Sequence, residues 1–297
     1  MVYWDQPSEA GQAGAMLATS KDGLSWTKDP CGAVFTEHND AFTVLPRDEE
    51  YLMYQTRLED WPDKPYSDNL DKMRRVQSLR RSKDLRQWTP QEVFLRPDAK
   101  DKPETEFYLM KAFRYGYGVL GLLMKYYADP ALPGKHSAIR RNELMVSRDG
   151  IAWERPFRET DIGFWSYADP FEHGNSLNFV IWKDGGMSIV SYARNRLVAV
   201  AAGQEEGHFM TKSFKDPVLP IQIDANASDG WIETQLFDTQ GKPIEGLESQ
   251  RVENVDAPEL PLTFGASQTP LRLSGEYCLQ FRLKNAKIFA VVAGSGD

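Results

Sequence analysis

The sequence predicts an all-β chain whose N-terminal two thirds form a β-propeller. Three observations carry this prediction: a repeated heptapeptide, strand-like runs between its copies, and the near absence of helical periodicity. The heptapeptide has the pattern Ser-x-Asp-x-x-x-Trp and begins at Ser20, Ser82 and Ser147, an almost constant interval. Sequence repeats of this length, each holding several short strands, are typical of propeller blades.

Each copy of the heptapeptide predicts a tight turn that leads into a strand. The Ser and Asp oxygens can accept hydrogen bonds from nearby backbone N–H groups. Gly23 and Gly150, which follow the Asp in the first and third copies, tolerate a positive φ. The closing Trp supplies a large apolar anchor for the next strand. The motif is therefore architectural, and functional residues must lie elsewhere.

The runs between the copies supply the other strands of each blade. Alternating or apolar segments separated by Gly, Pro and Asp turns predict strands at 41–45, 51–57, 76–80, 107–113, 119–127 and 143–146, followed by 177–182, 187–192 and 197–201. A weak trace of the heptapeptide remains at Thr211–Phe214. We therefore expect blades near residues 1–35, 36–100, 101–160 and 161–216.

From Pro217 onward the pattern changes to proline-separated runs with strict alternation. Tyr277, Leu279, Phe281 and Leu283 fall on one face of such a run. Residues 217–297 are accordingly predicted to form an antiparallel β-sandwich-like domain.

Composition and charge exclude several classes of function. The formal charge is −8, from 43 acidic and 35 basic side chains, and no contiguous Lys/Arg tract opposes it, so nucleic-acid binding is not expected. No apolar run is long enough to span a membrane, and the first residues lack the basic-then-apolar order of a signal peptide. Cys31 and Cys278 are expected to be buried free thiols rather than a zinc site.

The blade motifs, the aromatic inner hairpins and the sandwich-like tail together resemble the five-bladed propeller superfamily that includes glycoside hydrolase families 32 and 43. The tail from Gly230 to Gly246 is similar to that of bacterial glycosyl-hydrolase-like proteins. Only about three and a half blades precede Pro217, so the resemblance implies an N-terminally shortened relative. The segment that carries the first-blade Asp of these families would then be absent.

In a propeller the inner strand of each blade brings its first residues to the central depression, where carboxylates of different blades can face one sugar ring. We therefore expect Asp40 to act as transition-state stabiliser or base, Glu106 as general acid, and Asp169 or Glu172 as the third acid. The alternative is a purely structural role, in which these carboxylates at the strand starts only accept hydrogen bonds from backbone N–H groups of turns or face water.

Residues near these strand starts are candidates for substrate binding. His38 and His173 could bind sugar hydroxyls, although an ordinary hydrogen-bonded histidine is the simpler interpretation. Arg57, Arg74 and Arg75 could clamp an acidic sugar or form structural ion pairs, and Trp61, Tyr66, Trp165 and Tyr167 could stack on sugar rings or belong to the core. The substrate-binding residues predicted in full are His38, Asn39, Arg57, Glu104, Tyr108, Trp165, Glu172 and His173.

Two functions from different classes remain open. One is a glycoside hydrolase acting on an oligo- or polysaccharide by carboxylate acid/base chemistry, and the other is a carbohydrate-binding or scaffold propeller without activity. Neither requires a cofactor, and no metal site is predicted, since calcium in the central channel has no Asp-rich loop to hold it. A blade edge left open would need to be covered by the sandwich domain or by a second subunit in a homo-oligomer.

Overall fold

The computed structural model describes residues 1–6, 13–36, 39–127, 138–249, 251–265 and 271–295. These residues form β-strands, turns and loops, and no helix among them is long and apolar enough to cross a membrane. The chain divides into two compact units. One comprises Met1–Pro170 with Phe179–Val190, and the other comprises Phe171–Asn178 with Ser191–Asp297.

Four small sheets follow one another along residues 1–193, each with its strands in sequence order. Their all-β, blade-like arrangement confirms the predicted fold class. The second and third sheets have four strands, and the first and fourth have three. The first sheet has β1 (Val2–Asp5), β2 (Gly14–Thr19) and β3 (Thr27–Lys28), and the second β4 (Phe42–Arg47), β5 (Glu50–Asp60), β6 (Met73–Ser82) and β7 (Glu92–Leu95). The third has β8 (Thr105–Tyr115), β9 (Gly118–Tyr127), β10 (Ile139–Ser147) and β11 (Trp153–Glu154), and the fourth β12 (Phe171–His173), β13 (Ser176–Lys183) and β14 (Gly186–Ala193).

The three heptapeptides form the predicted turns, with the same hydrogen bonds in each copy. In the third, the Gly150 N–H donates to Ser147 Oγ at 2.9 Å, and the N–H groups of the next two residues donate to Asp149 Oδ1. The Trp153 Nε1–H donates to the Gly150 carbonyl at 3.0 Å. The residue after Asp has a positive φ in all three copies, including the non-glycine Leu85 at 64°. In the first copy, backbone N–H donors lower the pKa of Asp22 to about 2.

The glycines of the first and third heptapeptides allow a matched test of this turn. A Cβ at Gly150 would lie 2.8 Å from Tyr54 Oη, whereas a Cβ at Gly23 would meet nothing within 4 Å. Both have a φ near +75°, so alanine introduces the same backbone strain at either position, about 1–2 kcal/mol. We expect Gly150→Ala to destabilise the protein by about 1–3 kcal/mol more than Gly23→Ala, because only Gly150→Ala also crowds the core. Urea denaturation of both variants measures this difference, and equal destabilisation would contradict the packing shown by the structure.

The second and third sheets pack face to face around a shared core. Leu52 and Tyr54 of β5 belong to one buried hydrophobic cluster with Phe107 and Met110 of β8. Polar side chains also cross between the sheets. The Thr43 hydroxyl on β4 donates to the Met110 carbonyl at 2.6 Å. The strand β8 is thereby fixed against its neighbouring sheet along most of its length.

The C-terminal strands form two further sheets that share one core. Their strands are β15 (Val200–Ala202), β16 (Gly207–Met210), β17 (Phe214–Lys215), β18 (Pro217–Asn226), β19 (Trp231–Asp238), β20 (Pro243–Glu248), β21 (Val252–Glu253), β22 (Asp256–Leu262), β23 (Leu271–Arg272), β24 (Glu276–Lys284) and β25 (Ala286–Ser295). In the first sheet, β15, β25, β18 and β22 lie side by side and β23 pairs with β18. In the second, β16, β24, β19 and β20 lie side by side, with β17 and β21 at the margins. The predicted alternation of β24 is confirmed, since Leu279, Phe281 and Leu283 are buried and pack with Ile223 and Ile232.

The region predicted as the end of the fourth blade, 197–216, has a different place in the structure. Its strands β15, β16 and β17 pair with β25 and β24 of the C-terminal sheets. A short run such as Leu197–Ala201 fits the edge of either sheet, so the sequence could not decide its partner. The expectation for the cysteines also fails in part, because both are free but Cys31 is exposed and Cys278 only half-buried.

Candidate functional site

Glu106, the predicted general acid, lies in a buried network of charged side chains. Its side chain and that of Asp68 are fully buried, and those of Lys64 and Arg75 are 2% exposed. Lys64 Nζ lies 2.9 Å from Asp68 and 3.1 Å from Glu106, and Arg75 Nη1 lies 2.9 Å from each of the same two carboxylates. Two cations and two anions thus neutralise one another within the protein.

Hydrogen bonds satisfy the remaining oxygens of this network. The Tyr66 hydroxyl and the Arg75 backbone N–H both donate to Glu106, and the Tyr126 hydroxyl donates to Asp68 at 3.2 Å. Burial, followed by its bond to Glu106, raises the pKa of Tyr66 far above its ordinary value. Burial and the nearby Asp68 raise the pKa of Tyr126 to about 12. Both tyrosines therefore remain protonated donors.

The geometry does not support the catalytic role that the sequence predicted for Glu106. Its two oxygens already accept four donors, from Lys64, Tyr66 and Arg75. No oxygen is left to protonate a glycosidic bond, and no solvent reaches the side chain. Glu106 instead fixes the loop between β5 and β6 onto the start of β8.

The other two predicted acids have different surroundings. Asp169 is exposed and forms an ion pair of 2.6 Å with the buried Lys111 of β8. Asp40 is exposed in the bend before β4. Asn39 beside it holds that bend, since its Oδ1 accepts the Ala41 N–H at 2.9 Å. His38 lies outside the described residues. The structure therefore does not gather Asp40, Glu106 and Asp169 around one set of shared contacts.

The remaining predicted binding residues have mixed environments. Glu172 forms an exposed ion pair with Arg194 at 2.8 Å, and His173 is exposed. Trp165 packs edge-on against Tyr167. The inner arginines and Tyr108 are held by the protein itself: Arg57 donates to the Gln91 carbonyl, Arg74 donates to the Thr105 carbonyl and packs on Trp61, and Tyr108 stacks on Tyr126.

Among the described residues, the predicted residue Glu104 borders a pocket. A cavity of about 260 Å³ opens where β8 begins, β9 ends and β10 begins. Its lining includes Lys102, Glu104, Tyr127, Arg141 and Glu159, and also the charged residues Asp101, Lys125 and Asp161. Lys102 Nζ lies 5.6 Å from the centre of the Tyr127 ring. Among the described residues, no salt bridge engages Glu104, Arg141 or Glu159, so these groups are free to bind a ligand.

Two residues that line the pocket, Asp101 and Lys125, belong to a second buried ion network. Arg155 binds Glu143 through Nε and Nη2 at 2.8 and 2.7 Å, and Asp101 through Nη1 and Nη2 at 2.6 and 2.7 Å. Lys125 completes it with a contact of 3.2 Å to Glu143. Burial alone would raise the pKa of Asp101, but the bonds from Arg155 hold it below its ordinary value. The carboxylates of this network are therefore committed to their partners beside the pocket.

Sequence reasoning missed Tyr127 and Arg141. Tyr127 was assigned only as the end of a strand. The rule that strand starts line the depression could have located Arg141 near the start of β10, at the same end of the sheet as Glu104. No group of three or more His, Cys, Asp or Glu side chains suited to a metal ion occurs within the described ranges.

No family model matches the sequence, and no curated protein matches it. Solved structures do match. The chain resembles glycoside hydrolases of families 32 and 43. A mutant family 32 beta-fructofuranosidase of Bombyx mori, in complex with sucrose, is 10% identical with a TM-score of 0.39, and the match covers 98% of this chain and 76% of that one.

Two further structures extend the comparison. The exo-inulinase of Aspergillus awamori is 8% identical with a TM-score of 0.28, covering 99% of this chain and 93% of that one. A family 43 arabinoxylan arabinofuranohydrolase of Bacillus subtilis, in complex with cellotetraose, is 12% identical with a TM-score of 0.29, covering 96% and 74%. Similarity at this level concerns the fold alone, so the site is judged on this chain's own residues.

Proposed function

We propose that this chain binds a carbohydrate in the pocket bordered by Glu104, Tyr127 and Arg141, and does not hydrolyse it. The observation that carries the proposal is the contrast between two sets of charged groups. Both oxygens of Glu106 are paired within the buried network, whereas Glu104 and Arg141 line an open pocket without salt bridges to other described residues.

The lining suits a sugar. Aromatic faces pack on the C–H surface of a sugar ring, and carboxylates and guanidinium groups form paired hydrogen bonds with neighbouring hydroxyls. The volume of about 260 Å³ is slightly below the range of about 300–1,000 Å³ usual for ligand pockets. It fits one ring of an oligosaccharide better than an extended stretch of it.

Hydrolysis has weaker support in the same geometry. Glycoside cleavage needs one carboxyl group with a raised pKa to protonate the leaving oxygen and a second, ionised one. Glu106 has no free oxygen, Asp169 is paired with Lys111, and the pKa of Asp101 is lowered. Glu104, Glu159 and Asp161 are the pocket carboxylates that could serve instead, so the test must also measure cleavage.

Titration calorimetry with a panel of neutral and uronic-acid oligosaccharides tests the proposal. We expect saturable binding to at least one sugar, weakened about tenfold or more in Tyr127→Ala and in Arg141→Ala, which corresponds to about 1.4 kcal/mol each. Arg140→Ala is the matched control, because Arg140 is the exposed neighbour of Arg141 on β10 but does not line the pocket. It should bind like the unaltered protein.

Reducing-end assays on the same panel separate binding from catalysis. We expect no release of reducing ends by the unaltered protein. Release that is lost in Glu104→Gln, Glu159→Gln or Asp161→Asn would favour the hydrolase over the binding protein. Absence of binding to every sugar, or equal loss in Arg140→Ala and Arg141→Ala, would count against this pocket.

A further inference from the structure

The fourth sheet ends differently from the other three. Outer strands β3, β7 and β11 have two, four and two residues, and short edge strands of this kind resist pairing with other chains. The fourth sheet instead ends on β14, which has eight residues. The strand that follows in the chain, β15, pairs with β25. Within the described ranges, β14 thus has a strand on one side only.

The composition of β14 does nothing to protect this edge. Charged residues and proline are the usual means of blocking an edge strand. β14 has neither, since its residues are Gly-Met-Ser-Ile-Val-Ser-Tyr-Ala. Apolar side chains on and beside it also face solvent: Met187 is 78% exposed, Ile189 59% and Trp182 of β13 72%. An edge strand with exposed apolar side chains is suited to pairing with another strand.

We propose that β14 pairs in antiparallel orientation with β14 of a second copy of this chain, so that two three-stranded sheets become one of six strands. Directly opposed residues of an antiparallel pair share a face of the sheet. A two-fold axis perpendicular to the sheet then relates the two strands. This axis must pass between one residue and the same residue of the second copy, which lie directly opposite each other. We place Ile189 at that position.

Charge complementarity selects this register. With Ile189 on the axis, Met187 opposes Ser191, and Asp184 in the turn before β14 opposes Arg194 just after it. Each end of the paired strands thus receives one carboxylate and one guanidinium, and no like charges are opposed. Arg194 already contacts Glu172 at 2.8 Å but is half exposed, and its five N–H donors leave capacity for a second carboxylate.

Light scattering after gel filtration tests the association. At protein concentrations up to about 100 µM, enough to populate a dimer of micromolar Kd, we expect a mass of twice 33.8 kDa. Ile189→Lys should shift the mass to the monomer, because it introduces a charge at the axis. Leu24→Lys, at a residue that is 87% exposed in a heptapeptide turn, is the matched control and should stay dimeric. A monomer at all concentrations, or a dimer that persists in Ile189→Lys, overturns the proposal.

Disulfide trapping tests the register, with Cys31 and Cys278 both replaced by serine. In Ile189→Cys the two Cα atoms would lie about 4.5–5.5 Å apart, within the range that a disulfide bridges. In Met187→Cys they would be offset by four residues, about 14 Å, and should not cross-link. We expect oxidised dimers on non-reducing gels for Ile189→Cys alone. Cross-linking of Met187→Cys but not of Ile189→Cys would overturn the pairing.

Discussion

Replacement of Glu106 by glutamine is expected to destabilise the protein by about 3–5 kcal/mol, the usual effect of leaving a buried charge without its partner. Glutamine keeps the shape of the side chain but removes one of the two negative charges that neutralise Lys64 and Arg75. For a unit of this size the Tm should fall by roughly 10 °C or more. A general acid exposed in an active site would behave in the opposite way, losing turnover with little change in Tm. Thermal unfolding followed by circular dichroism distinguishes the two.

Two companion variants sharpen this prediction. Glu104→Gln, two residues earlier in the chain and only half-buried, should change stability by less than about 0.5 kcal/mol. The double variant Lys64→Met with Glu106→Gln removes one charge of each sign and should recover part of the lost stability. An unchanged Tm in Glu106→Gln would show that the network contributes little and would restore Glu106 as a candidate acid.

Replacement of Arg155 by methionine is expected to have an effect of similar size, about 3–5 kcal/mol at neutral pH. Arg155 is the cation between Glu143 and Asp101, and it binds each through two hydrogen bonds. Its loss leaves Glu143 and the pocket-lining Asp101 without the cation between them. We therefore expect weaker sugar binding together with the loss of stability. Urea unfolding and calorimetry of the same preparation measure both.

The pH dependence of Arg155→Met should have the opposite sign from that of the unaltered protein. In the unaltered protein the pKa of Asp101 is lowered on folding, so its contribution is present above the unfolded value of about 3.9 and is lost as the pH falls through the folded pKa. In the variant, protonation relieves the excess negative charge, so stability should rise between about pH 7 and pH 5. Arg96→Met is the control, since Arg96 is exposed and its carboxylate partner is Glu59 rather than Asp101.

Much of the fold was predictable because its signals are local. The hydrogen bonds that all three heptapeptide turns share join residues no more than three positions apart, as from Ser147 to Gly150 and from Asp149 to Ala152. Alternating runs such as β24 likewise predict their own buried faces. The region around 197–216 was harder, because a short apolar strand carries no record of which sheet edge it will join.

The candidate site was predictable only in its location. The rule that strand starts line the depression led to the segment from Glu104 to Tyr108, and Glu104 does border the pocket. The same rule assigned catalysis to Glu106, because strand position does not show whether a carboxylate faces solvent or a buried cation. Tyr127 and Arg141 come from two other strands, which β-pairing aligns beside β8.

The sequence by itself determined the all-β class, the turn at each heptapeptide and the buried face of each amphipathic strand, because neighbours within a few residues set these features. The tertiary structure decided which carboxylates are structural and which are free. Glu106 meets Tyr66 and Arg75 from 40 and 31 positions away. Such pairs form only where packing removes water and leaves a charge no other partner. The fate of an ionisable side chain therefore depends on the strands that the fold sets beside it.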